Sequence, residues 1–263
     1  MNAHVPAPTV DAIVPWLDDL LQTDETPDYA GAFNGLQVDH TGPVTRIAAA
    51  VDASLRAVEQ AVACGANLLL VHHGLFWAGA QPIRGSLHRK LKLLLDNDIA
   101  VYSSHFPLDR HADLGNNVLL ARTLKLSPSS TWHAYKGVPI GIVATADTST
   151  RELAQLVRAF SSDHDHHAVV TPHDAERRSR IIALCTGGGA SSESIREARS
   201  LGADTLIVGE GPHHTAVDAE ESDLVVMYAG HYATETLGVK ALARAIAERW
   251  SLPCSFLPAP TGL

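Results

Sequence analysis

Short apolar runs bounded by turn residues alternate along this chain with stretches whose apolar positions recur at helical spacing. Ile47 to Val51, Leu68 to Val71 and Ala100 to Ser103 read as buried strands of a parallel sheet, because strands covered on both faces are apolar at nearly every position. Leu55 to Cys64 and Leu87 to Asp96 read as the helices between them, the first capped from Asp52-Ala53-Ser54. Ahead of these lie an amphipathic helix over Asp11 to Gln22, with Pro15 near its start, a loop from Asp28, and a strand Leu36 to Val38 entered through the turn Asn34-Gly35. Trp77 to Gly85 is expected to be a looped insert. A break is expected near Pro128-Ser129-Ser130, followed by strands Val138 to Ala144, Ala168 to Thr171 and Arg180 to Cys185 and by helices Thr150 to Phe160, Ser194 to Leu201 and Leu237 to Trp250. The β-α-β order requires a largely parallel sheet flanked by helices, so the fold class is α/β. Leu257-Pro258-Ala259-Pro260 is expected to be extended and to pack back on the first lobe.

The pattern repeats itself. Val58 to Gly74 (VEQAVACGANLLLVHHG) matches Ile195 to Gly211 (IREARSLGADTLIVGEG), and Ala100 to Asp109 (AVYSSHFPLD) matches Val226 to Glu235 (VMYAGHYATE). Each copy of the second segment carries a histidine followed four residues later by a carboxylate, His105/Asp109 and His231/Glu235. A helix follows each, near Gly115-Asn116-Asn117 and near Thr234. Such spacing indicates a duplicated domain rather than a solenoid. Two lobes are expected, 1–128 carrying His72, His73 and Asp109, and 129–263 carrying His231 and Glu235.

His72 and His73 leave a strand at its carboxyl end, where open α/β sheets bind ligands. Imidazole and carboxylate without thiolate suit Zn, Fe, Mn, Ni or Co and leave positions open for water. The expected ligands of a site holding one or two divalent ions are His72, His73, Asp109, His231 and Glu235. A His-His pair in a chain with 15 histidines carries little weight alone. Its place beside two strand-end His-x-x-x-carboxylate repeats raises that weight. His105 is assigned a supporting role, hydrogen-bonding a ligand carboxylate. Glu210, in the second lobe's counterpart of the His72-His73 turn, is a candidate general acid or base, with a capped turn as the alternative. His213 and His214 read as solvated turn residues. Thr186-Gly187-Gly188-Gly189 fits a tight turn better than a phosphate cradle, since no Lys-Ser/Thr follows. Asp163-His164-Asp165-His166-His167 reads as a surface loop.

Composition narrows the function classes. The chain has 263 residues, 46% of them hydrophobic, enough for one large core or two moderate ones. A net charge of −9 with scattered basic residues would repel phosphate backbones, so no nucleic-acid partner is expected. Three cysteines without C-x-x-C spacing argue against a disulfide framework and a structural zinc site, and for a reducing cytoplasm. The amino terminus lacks a basic segment followed by an apolar one, and no apolar run is long enough to span a bilayer, so no membrane association is expected.

Asn34-Gly35-Leu36-Gln37-Val38, Val71-His72-His73-Gly74-Leu75-Phe76-Trp77, His105-Phe106-Pro107-Leu108-Asp109 with Leu114-Gly115-Asn116-Asn117, Cys185-Thr186-Gly187-Gly188-Gly189 and Gly230-His231-Tyr232-Ala233-Thr234-Glu235 together resemble the signatures of the Nif-three-like family, also labelled GTP cyclohydrolase I type 2. The resemblance spans almost the whole chain in order, in the form without a large inserted domain. It implies two interlocked α/β lobes, a dinuclear metal centre on the same five ligands, and a toroidal homohexamer. The implied reaction is hydrolytic opening of the purine imidazole ring of GTP with loss of formate. Two other classes stay open, a metal-dependent phosphoesterase and a non-enzymatic metal-binding or regulatory protein, because a ligand set does not reveal whether substrate reaches the metal.

Overall fold

The computed structural model describes residues 7–263; the reading of the amino terminus falls in part on residues 1–6, outside the described ones. In chain order the elements are α1 (Val10–Leu21), β1 (Gly35–Val38), β2 (Ile47–Asp52), α2 (Leu55–Cys64), β3 (Leu68–His73), α3 (Gly85–Asp96), β4 (Ala100–Ser103), α4 (Phe106–Asp109), α5 (Asn116–Thr123), β5 (Ser127–Tyr135), β6 (Val138–Ser149), α6 (Thr150–Ser162), β7 (Val169–Val170), β8 (Arg178–Cys185), α7 (Ser192–Ser200), β9 (Thr205–Val208), α8 (His214–Glu221), β10 (Val225–Tyr228), α9 (His231–Trp250) and β11 (Cys254–Phe256). The chain divides into two compact units. Unit 1 comprises Met1–Leu108 with Val239–Ala259, and unit 2 comprises Asp109–Gly238 with Pro260–Leu263.

Unit 1 holds a five-stranded sheet in the order β1-β4-β3-β2-β11, parallel throughout except for β1 against β4. The runs are apolar at successive positions because both faces are covered. On one face Ala48, Ala50, Leu69, Val71 and Val101 pack under Ala57, Val58 and Ala61 of α2 and Leu94 of α3. Tyr102 points the other way and donates its hydroxyl to Asp18 of α1 at 2.8 Å. Burying one such leucine contributes roughly 1.5–3 kcal/mol. The hydroxyl of Ser54 accepts from the Ala57 N–H and so starts α2, while Gly65, at φ 68°, ends it. The cap is Ser54 alone; the Asp52 side chain is committed elsewhere.

Unit 2 holds a six-stranded sheet in the order β5-β6-β8-β9-β10-β7. Its centre, β8-β9-β10, is parallel, and antiparallel strands lie on both sides. Alternate residues of the same strands feed two different cores. Ile182, Leu184, Ile207, Val225 and Met227 face Leu120 of α5 and Leu153, Val157 and Phe160 of α6. Ala183, Cys185, Leu206, Val208 and Val226 face Ile195 and Ala198 of α7 and Ala219 of α8. The two units repeat one plan: β2-β3-β4 and β8-β9-β10 are parallel triplets, and the duplicated segments supply β3 and β9, then β4 and β10. The fold class is thus α/β, with two mixed sheets flanked by helices.

Several elements differ from the sequence reading for identifiable reasons. Ser127–Tyr135 forms edge strand β5 where a break is expected; its outward residues are mostly exposed, so the polar run Ser127-Pro128-Ser129-Ser130-Thr131 hides a strand with only one partner. The units divide at Leu108/Asp109 rather than near Pro128, because Leu120, Ala121, Leu124 and Leu126 belong to the second sheet's core. Residues 106–109 form the one-turn helix α4, and His214–Glu221 forms helix α8 where a turn is expected at His213 and His214. Helix α9 begins at His231, ahead of the expected Leu237, and its start belongs to unit 2 while Val239–Trp250 belongs to unit 1. The proline-rich tail follows β11, which pairs in parallel with β2 inside unit 1. No helix among the described residues is long and apolar enough to cross a membrane.

Candidate metal centre

In unit 1 the carboxyl ends of the parallel strands carry three imidazoles. His72 and His73 close β3, and His105 follows β4. The β2/β3 register sets Asp52 opposite His73, and the β3/β4 register sets Ser103 opposite Val71. One ligand-type atom from each of His72, His73 and His105 lies within 4.8 Å of the others. Each ring is held through Nδ1. His72 Nδ1 donates to the Ser104 carbonyl at 2.9 Å, His73 Nδ1 to Asp52 Oδ1 at 2.9 Å, and His105 Nδ1 to Asp28 Oδ1 at 2.9 Å. A neutral imidazole with Nδ1–H committed to an acceptor carries its lone pair on Nε2.

Asp28 is itself fixed. Asn34 Nδ2 and the Phe106 N–H donate to its Oδ2, both at 2.9 Å, and Asn34 Oδ1 accepts the His105 N–H at 2.7 Å. Burial pushes the Asp28 carboxyl up, but the hydrogen bond and charge of His105, with Asn34 and Phe106, more than offset it and hold it below the usual carboxylate value.

In unit 2 the corresponding strand ends carry acids. His231 opens α9 just past β10, and Glu235 lies one turn on, so both project from one helix face. Nδ1 of His231 meets Glu210 Oε1 at 2.9 Å and Nε2 meets Glu235 Oε2 at 3.2 Å. Burial pulls this imidazole down, yet the hydrogen bonds and charges of Glu235 and Glu210 outweigh it and push its pKa up to about 10. Glu210 thus holds one ring nitrogen and Glu235 faces the other, so the Nε2 and Glu235 pair is of metal-ligand type. Asp109 is buried, with Oδ1 accepting from Asn116 Nδ2 at 2.8 Å and from Thr186 Oγ1 at 3.4 Å. Gly187 is the reason Glu235 fits: at φ +64°, a Cβ there would stand 2.1 Å from Glu235 Oε1. Burial, then the charges of Asp109 and Glu235, push the Cys185 thiol up, which keeps it protonated and unsuited as a ligand.

The structure thus groups His72, His73 and His105 in unit 1 and His231, Glu235 and Glu210 in unit 2, with Asp109 anchored beside Thr186. His105 bonds Asp28, not a ligand carboxylate, and stands among the nitrogen donors. Glu210 orients His231. His213 and His214 are exposed at the start of α8. The Asp163–His167 run is a surface loop, as expected, in which His164 Nδ1 donates to the Phe160 carbonyl and His166 Nδ1 to the Gly262 carbonyl. Sequence reasoning missed Asp28, Asp52, Asn116 and Thr186 as supports. Asp52 was legible in principle, as an acid ending an apolar strand beside the His72-His73 strand, whereas the reach of Asp28 across 77 positions to His105 was not.

Fold and site together define an α/β protein whose strand ends gather imidazoles, each held through Nδ1, into groups that could hold a metal ion. Residues 8–261 match the Duf34/NIF3 (NGG1p interacting factor 3) family. A protein of Pyrococcus horikoshii named GTP cyclohydrolase 1 type 2 homolog is 39% identical over 253 residues, covering 96% of this chain and 99% of its own. One of the same name from Deinococcus radiodurans is 35% identical over 255 residues, covering 96% and 94%. The solved structure of protein ybgI, of unknown function, superposes with a TM-score of 0.88 at 32% identity, covering 97% of this chain and all of that one. The chain belongs to the Duf34/NIF3 family.

Proposed function

We propose that this protein is a divalent-metal-dependent hydrolase acting on a nucleotide or related small molecule, and that its specific reaction is the hydrolytic opening of GTP with release of formate. The observation that carries the reading is the convergence of His72, His73 and His105, which bring one ligand-type atom each within 4.8 Å of the others. His72, His73, His105 and His231 each commit Nδ1 to an oxygen acceptor, three of them to a carboxylate. A metal-ligating histidine commits its other ring nitrogen to such an acceptor, and what sets these rings apart from the other histidines is that they stand in groups of metal-ligand type, His72 with His73 and His105, and His231 with Glu235. The proposed ligands of two divalent ions, drawn from Zn, Fe, Mn, Ni or Co, are His72, His73, Asp109, His231 and Glu235. Such ions, when bound, polarise substrate oxygens and lower the pKa of water.

The chain's own groups have separate tasks in this reading. Asp52, Asp28, Glu210 and the Ser104 carbonyl orient the rings, and Asn116 and Thr186 fix Asp109. Glu210 keeps contact with solvent, and its carboxylate at His231 Nδ1 is the candidate acid or base for moving a proton to the leaving fragment. The shared GTP cyclohydrolase label of the relatives supports the GTP form. We further propose self-assembly into a toroidal homohexamer.

The test is formate release from GTP by purified chain loaded in turn with each metal. His72→Ala is expected to lower it about a hundredfold or more and to lower the bound metal. Phosphate release without formate would replace the proposal with a phosphoesterase. Bound metal with no turnover across a nucleotide panel would replace it with a storage or regulatory role.

A further inference from the structure

The exposed aromatic surface of the described residues is concentrated in one place. Tyr29 is 50% exposed, Phe33 59% and Trp77 37%, and they are the only aromatics among the exposed large hydrophobic residues. All three lie in the loops around the histidines of unit 1. The Trp77 ring stands edge-on to His105, with centroids 4.9 Å apart, and edge-on to His73 at 5.5 Å. The Tyr29 ring lies 6.4 Å from Trp77, 6.2 Å from His105 and 5.4 Å from Phe106.

Close packing and hydrogen bonds tie together the loops that carry these rings. Gly31 sits against the Trp77 main chain so closely that a Cβ would come within 2.9 Å of the Trp77 carbonyl oxygen, which locks the Tyr29 loop to the Trp77 loop. Gln37 ties both: its Nε2 donates to the Phe33 carbonyl at 2.8 Å and its Oε1 accepts the Leu75 N–H at 2.7 Å. Asp28 and Asn34 fasten the other end of the loop to residues 105 and 106. Keeping large aromatic faces in water costs free energy that a folded chain recovers only when something covers them.

We propose that Tyr29 and Trp77 form a stacking site for a purine base, which they hold beside His73 and His105. The inference rests on the functional reading above and names what that site recognises. Aromatic faces bind flat π systems with little dependence on hydrogen-bond pattern, and two rigid rings with few rotatable bonds lose little entropy in doing so. A ring seated there is adjacent to the proposed metal ligands, so Tyr29 and Trp77 are positioning residues for the reacting ring.

Equilibrium dialysis of the full, metal-loaded chain against guanosine, ribose 5-phosphate and N-acetyltryptophanamide tests this. Guanosine is expected to bind at least about tenfold more tightly than the other two. Trp77→Ala and Tyr29→Ala are each expected to weaken guanosine binding about tenfold or more, while Trp77→Phe stays within about threefold. Bound metal is expected to be unchanged in all variants. Trp77→Leu keeps apolar bulk without a π face and is expected to fail like Trp77→Ala, which serves should an alanine variant not fold. Equal guanosine affinity in wild type and Trp77→Ala overturns the proposal, and so does equal binding of N-acetyltryptophanamide. Unchanged guanosine binding with a changed oligomeric mass overturns it as well, by assigning the rings to a subunit contact. The same titration on metal-free chain separates the two readings, since stacking is expected there even if the metal reading fails.

Discussion

Gly187 is the residue on which the acidic half of the site turns. Its left-handed backbone disfavours any side chain, and a Cβ there would displace the Glu235 carboxylate. Gly187→Ala is expected to cost about 1–3 kcal/mol of stability and to reduce bound metal, read by urea denaturation and by elemental analysis. The three thiols should also separate. Cys254 is exposed, Cys64 half-buried and Cys185 buried with its thiol pushed up, so iodoacetamide on the native protein is expected to label Cys254 first and Cys185 only after denaturation. At this scale the sequence carried the proposed ligands better than their supports. His72, His73, His231 and Glu235 announce themselves by doublet and by repeat, since duplication preserves spacing. Asp28 and Asn116 act through contacts that depend on tertiary approach, and nothing in their neighbours marks them.

Elements follow the local rules closely where both faces of a strand are covered. Leu68–His73 and Thr205–Val208 are readable because burial on both sides leaves an unbroken apolar run. Edge strand β5 and helix α8 are not, since one exposed face dilutes the pattern with Ser, His and Glu. Helix α6 offers the cleanest energetic test. Ser149 accepts from the Glu152 N–H, and the Glu152 carboxylate reaches back to Ser149, a capping box. Ser149→Ala is expected to cost about 1 kcal/mol in urea unfolding. The Ser149 hydroxyl and N–H, with Thr148, hold the Glu152 carboxyl below its usual value. A group lowered on folding stabilises above its unfolded pKa and loses that contribution as pH falls through the folded one. The stability gap between wild type and Glu152→Gln should therefore narrow on acidification, and a gap that widened would contradict the cap.

For the whole molecule, the chain path is the least legible feature. The sequence places the lobe boundary near Pro128 with only the proline-rich tail returning to the first lobe, whereas unit 1 takes back Val239–Ala259 and the division falls inside α4. No composition signal marks either crossing, because α9 reads as one continuous helix and serves both units. Truncation should expose this. Residues 1–128 expressed alone are expected to give no cooperative melting transition, whereas co-expression with 239–263 should recover part of unit 1, judged by circular dichroism. Such a chain also has to be made before it can close. Ile47 to Ala49 of β2 find their outer partners only in Cys254 to Phe256, so a ribosome must deliver the whole of residues 109–238 while that edge stands open as a template for other nascent chains. Released chains that stop just short of Cys254 should sediment with aggregates or ride on chaperones, and chains that run on through Phe256 should not.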